Sequence, residues 1–122
     1  MNVVVTELAA AEMEAILVET RLRFGERAAR RYLILLRQSL HDLARKTVLE
    51  APDSALALPE GFGAYHLLRS RANVVPEDRV KSPRHYLLFQ IGVGELIVLR
   101  VVHDRSHLKG IAEAFGESRD DV

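Results

Sequence analysis

The apolar positions of the chain change period along its length. Val3, Val4 and Val5, within Asn2–Thr6, form a short β-branched run that predicts an edge or second-rank strand. From Leu8 to Phe24 the spacing becomes helical. Leu8, Met13, Ile16, Leu17, Thr20 and Phe24 recur on one side, with Glu7, Glu12, Glu14 and Glu19 turned outward. The acids lie early and Arg21 and Arg23 late, as a helix dipole prefers, and Gly25 predicts the stop. A second helix is predicted over Glu26–Val48, its stripe running through Ala29, Tyr32, Leu33, Leu36, Leu40 and Leu43, with Ile34 and Leu35 off it. One glycine between two amphipathic helices reads as a helical hairpin.

After Pro52 the helical period ends. Residues 51–64 read as a loop, whose Leu56, Leu58 and Phe62 predict that it packs on the body of the protein. Tyr65–Arg71 alternates and predicts a strand, and residues 72–83, with Pro76 and Pro83, read as a surface connection. Arg84–Ile91 and the near-continuous apolar run Leu96–Val102, broken only by Arg100, predict two strands joined through Gly92-Val-Gly-Glu95. A four-residue loop would set Phe89 against Val98. A three-residue loop sets Phe89 against Leu99, Leu87 against Val101 and Leu88 against Arg100. The second keeps one face apolar, so it is the expected register, with Gly94 in the left-handed region. Ile97, Leu99, Val101 and His103 then form the core face, with His85 opposite His103. His107–Phe115 predicts one or two weak helical turns, and residues 116–122 a disordered charged tail after a single domain of residues 1–115.

The order is therefore β-α-α-β-β-β. The fold class is α+β: an N-terminal strand, a helical hairpin, then a three-stranded antiparallel sheet with both helices on one face. The other sheet face is left to Arg69, Arg71, Arg84, Tyr86, Gln90 and Arg100.

Composition narrows the chemistry. At 122 residues without a cysteine, disulfides, thiolate metal sites and cysteine nucleophiles are excluded. No apolar stretch reaches membrane-spanning length, so a cytoplasmic protein with no membrane association is expected. The formal net charge is zero, which argues against a protein held on nucleic acid by bulk charge. The distribution is uneven, however. Tyr65–Lys109 carries eight Arg/Lys against four acids, so a locally basic sheet is expected.

Arg100, in mid-strand, could meet a phosphate or partner carboxylate, or be paired to an acid of a helix or the tail. His103 and His85 could serve as proton-transfer groups or as hydrogen-bonded structural histidines. No third ligand accompanies them, so neither a metal site nor a cofactor is expected. Arg27, Arg30 and Arg31 read as a solvated helix face.

The order and spacing of several stretches resemble the ParE branch of the RelE/ParE superfamily, the toxins of type II toxin–antitoxin pairs. These are Leu8–Ile16 after the first strand, Phe24-Gly25 followed by Ala28-Ala29, Leu40 with Leu43-Ala44, and Arg84-His-Tyr-Leu-Leu-Phe with Ile97–Arg105. Together they span most of Val3–Leu108. The chain departs from the pattern in His107, where an acid is usual, in the longer connections 51–64 and 72–83, and in its neutral charge. The resemblance implies inhibition of DNA gyrase by binding, without catalysis or sequence-specific nucleic-acid recognition, and neutralisation by a ParD-like antitoxin. On that reading Arg69, Arg71, Arg84, Arg100 and Arg105 meet the target. The antitoxin docks on Tyr32, Leu36, Leu40, Arg30 and Arg37, in a groove between hairpin and sheet. The alternatives are a ribosome-dependent endoribonuclease of the RelE type, using Arg84, Tyr86, Arg100, His85 and His103, or a degenerate toxin fold that only binds a partner.

Overall fold

The computed structural model of the chain describes residues 1–45 and 58–120, with side chains through residue 115. The expected last turn of helix two, the first half of the 51–64 loop with Pro52, and residues 121–122 lie outside the described residues.

Strand β1 (Asn2–Val5) leads into α1 (Glu7–Phe24) through Thr6, whose hydroxyl accepts the Ala9 N–H at 3.1 Å while its own N–H donates to Val98 O. One residue therefore both caps the helix and fastens it to the sheet. Gly25, at φ 95°, ends α1 and begins α2 (Glu26–Leu43), a conformation that favours glycine. The two helices form the expected hairpin. Beyond it come β2 (Phe62–His66), β3 (His85–Ile91), β4 (Glu95–His103) and α3 (Leu108–Asp120).

The architecture is α+β, as expected, but the sheet has four strands in the order β1-β4-β3-β2. β1 joins it parallel to β4, pairing Asn2–Val5 with Glu95–Val98, while β4-β3-β2 run antiparallel. The main core lies between the hairpin and one sheet face. Tyr32, Leu35, Leu36 and Leu43 of α2 meet Leu87, Phe89, Leu96, Val98 and Val101 there. The buried stripe of α2 is thus rotated toward Leu35, and Leu33 and Leu40 are only half-buried.

Four expectations are corrected. The hairpin β3–β4 adopts both registers that its sequence allows: Leu87 faces Val101 and Leu88 faces Arg100, but Phe89 faces Val98 and Ile91 faces Leu96. A β-bulge opposite Leu88/Phe89, with Leu99 as the extra residue, reconciles them. Leu96 and Val98 on one side of the bulge, and Val101 on the other, all reach the helix-facing core. Gly94 is left-handed, at φ 73°. Second, the predicted strand Tyr65–Arg71 ends at His66. A 3-10 segment, Leu67–Asn73, follows, because the His66 ring accepts the Leu68 N–H and Ser70 and Asn73 are drawn to Asp42. Third, the other sheet face is not open: Val102, Ala64 and Tyr86 pack with Leu108 and Ile111 of α3, and Leu88 is fully buried. Fourth, the helical backbone continues to Asp120, past the predicted start of the tail.

Candidate functional site

The far ends of β3 and β4 gather the chemistry. Cross-strand pairing sets His85 beside His103, as expected, with ring centroids 5.5 Å apart and nearly perpendicular. Above His85 stands Tyr32 of α2. Its hydroxyl accepts the Arg84 N–H at 3.2 Å and lies 2.5 Å from His85 Nδ1. With the neutral ring protonated on Nε2 the phenol donates to Nδ1, and with it protonated on Nδ1 the phenol accepts. Burial pushes the Tyr32 phenol up to about 12. Burial and the neighbouring His103 and His66 hold His85 below the usual histidine value, against the opposing pull of Asp104.

Asp104 follows β4 and joins three groups. His66 Nδ1 accepts the Leu68 N–H, so its Nε2–H is the nitrogen that donates to Asp104, at 3.2 Å. Arg84 Nη1 lies 3.7 Å from the same carboxylate oxygen, and His103 Nδ1 lies 3.3 Å from the other. Burial pushes the Asp104 carboxyl up, but the His66 hydrogen bond and the charges of His103 and Arg84 outweigh it and hold it low.

Beside Tyr32, His85 and His103 opens a cleft of about 560 Å³, walled by the C-terminal half of α1, the start of α2 and the 79–84 strap. Its lining includes five cationic side chains, Arg23, Arg31, Arg79, Lys81 and Arg84, and a single carboxylate, Glu19. In a chain of zero net charge that is a strong local excess.

The remaining expected residues are dispersed. Arg100 is taken up by Glu12 of α1 in a two-pronged pair, Nε at 2.8 Å and Nη2 at 2.9 Å, and Glu12 also accepts the Val101 N–H at 3.1 Å. β1 has ended at Val5, so Glu12 satisfies the β4 edge where the strand does not reach. The hydrogen bond to Glu12 outweighs burial and raises the Arg100 pKa further, so the guanidinium stays charged and is neutralised within the fold. Tyr86 packs edge-on against His66, ring centroids 4.8 Å apart, in the cluster under α3. Arg69 is exposed and lies over the Tyr65 ring, and Arg105 is exposed; Arg71 Nε donates to Val80 O at 2.7 Å. Of the expected antitoxin contacts, Arg30 and Arg37 are exposed and Leu40 is half-buried. Tyr32 and Leu36 are buried in the core, at 7% and 2% exposed, and Tyr32 also lines the cleft.

Arg23, Arg31, Arg79 and Lys81 were not singled out for this site by the sequence. They come from three separate elements with no shared motif. Among the described residues, no group of three or more His, Asp and Glu side chains is placed to hold a metal ion. Nor is any helix there long and apolar enough to cross a membrane. In comparison with known proteins, no family model matches the chain and no curated protein matches it.

Proposed function

We propose that the chain is the toxin of a type II toxin–antitoxin pair of the RelE/ParE kind, acting by binding DNA gyrase and neutralised by a ParD-like antitoxin. The observation that carries this reading is the outer face of α1. Leu8, Ala11, Ala15, Val18 and Leu22 follow one another three or four residues apart and are all exposed, Leu22 to 81%. An apolar stripe at that spacing is a seat for an apolar partner helix. On this reading the antitoxin helix docks on α1, not on the α2 residues expected from the sequence. The order strand, helical hairpin, antiparallel strands agrees with the fold that the resemblance implies.

Binding is favoured over catalysis by the separation of the residues a nuclease would need. Arg84, His85 and His103 meet at the cleft, but Tyr86 sits under α3 and Arg100 is neutralised by Glu12. Cleavage by 2′-oxygen attack needs a proton acceptor, a proton donor and phosphate-binding cations at one point, and of the expected set only Arg84, His85 and His103 are so placed. One observation favours the ribonuclease as a second reading: Tyr32, expected only as an antitoxin contact, stands against His85 beside the cationic cleft.

Two assays separate the readings. Purified protein is added to gyrase supercoiling reactions and, separately, to a translating extract whose mRNA is mapped by primer extension. Inhibited supercoiling with intact mRNA is the expected result. Unchanged supercoiling with new, codon-phased cuts would replace the gyrase reading by the ribonuclease. No effect in either assay, with tight binding to a neighbour-encoded protein, would leave only a partner-binding fold.

A further inference from the structure

We infer that the cationic cleft between α1, the start of α2 and the 79–84 strap is a binding site for a free nucleotide of the nucleoside-diphosphate class. The inference is independent of the toxin reading.

The first argument is charge that has been positioned but not neutralised. Arg31 Nη2 donates to Glu77 O at 3.2 Å, and Arg79 donates to Val74 O at 2.8 Å and Ala72 O at 3.1 Å. All three acceptors are backbone carbonyls. They fix the guanidinium planes and satisfy some of their donors, yet leave the full positive charge in place. Among the described residues, Arg31 Nε is buried without a hydrogen-bond partner, and no carboxylate is paired with this guanidinium. Lys81 is exposed on the same wall. Glu19, the cleft's one carboxylate, is engaged with Arg23 at 3.5 Å. Fixed guanidinium forks with an ammonium beside them suit the oxygens of a phosphate chain.

The second argument is the apolar part of the same space. Ile16, Phe24 and Val80 line the cleft, and Phe24 is 73% exposed at the end of α1. A bare aromatic ring beside unneutralised cations provides a stacking surface for a base next to its phosphates. Inorganic phosphate alone would leave that wall unused. A volume of about 560 Å³ falls within the usual range for small-molecule sites.

The test is calorimetric titration of the intact protein with ADP, adenosine and inorganic phosphate at low and at physiological salt. ADP is expected to saturate a single site about tenfold or more tighter than either fragment, and to weaken with salt. Lys81→Glu and Phe24→Ala alter exposed side chains, and far-UV circular dichroism checks that each variant keeps its fold. Each should weaken ADP by about tenfold. The proposal is overturned if ADP does not bind, if it binds no tighter than phosphate, or if both folded variants bind it as well as the parent. Failure here leaves gyrase inhibition untouched, so the two readings fall separately.

Discussion

Asp42 offers the sharpest test of how the strap beside the cleft is held. It is 2% exposed, on the buried face of α2, and among the described residues no lysine or arginine pairs with it. Instead Gln38 donates to one carboxylate oxygen at 2.9 Å, while Ser70 at 2.6 Å and Asn73 at 2.9 Å donate to the other. Burial pushes the carboxyl up, but these three hydrogen bonds outweigh it and hold Asp42 below the usual carboxylate range. Ser70 and Asn73 belong to the 3-10 segment Leu67–Asn73, which a second short turn, Pro76–Asp78, joins to the strap. Hydrogen bonds to a charged group contribute roughly 1.5–3 kcal/mol each, but the three losses will not add. Ser70 keeps its partner in Tyr65 at 2.6 Å, and the exposed Asn73 is free to rehydrate. Asp42→Ala is therefore expected to cost about 3 kcal/mol, and Asp42→Asn, which keeps the shape and one acceptor, about 1 kcal/mol. Urea titration at neutral pH reads both as shifts of the midpoint at unchanged slope. Because the folded pKa is depressed, this stabilisation is full above the unfolded value of about 3.9 and is lost as pH falls through the folded value. The gap between parent and Asp42→Ala should close in acid. A cost below about 0.5 kcal/mol, or equal costs for the two variants, would refute the role assigned to the carboxylate.

Glu12→Ala leaves Arg100 and the Val101 N–H without their acceptor and should cost about 2–3 kcal/mol by urea titration, while Glu12→Gln should recover more than half of that. A Cβ at Gly63 would lie 2.4 Å from the ring of Phe89, itself only 6% exposed, so Gly63→Ala should lower the melting temperature at a cost of about 1–3 kcal/mol; an unchanged melting temperature would mean that the ring has room to move. His85 is held below its unfolded value, so the folded state binds fewer protons and stability falls as pH drops from about 6.5 through the folded pKa. His85→Gln should flatten that part of the stability–pH curve, and an NMR titration of His85 with a midpoint above that of a free histidine would contradict the arrangement.

Helix hairpin, β3–β4 pair, His85 opposite His103 and the left-handed Gly94 were all legible, because each rests on local spacing or on one turn residue. The bulge was not. Leu96, Val98, Leu99, Val101 and Val102 are apolar in both phases of alternation, so the pattern could not show that the phase changes at Leu99. The alternation Tyr65, Leu67, Arg69, Arg71 suggested a strand, while the competing signal lay in hydrogen bonds to a residue far back in α2. That residue could have been flagged. Asp42 follows Ser39 by three on the stripe that carries Tyr32, Leu35 and Leu36, and an acid on an apolar stripe asks where its acceptors are satisfied. The cleft is harder to read, since its cations meet only through tertiary packing.

The parallel pairing of β1 with β4 sets an order of events during synthesis. Asn2 pairs with Glu95 and Val5 with Val98, so the first strand made must wait for nearly the last before it has a neighbour. The helical hairpin is made well before that, and its sheet-facing side has no cover until β3 and β4 follow. Contacts between such distant segments slow folding and prolong the exposure of apolar surface. Chains released by premature termination before β4 would strand β1 unpaired beside a bare hairpin, which makes them substrates for chaperones and proteases.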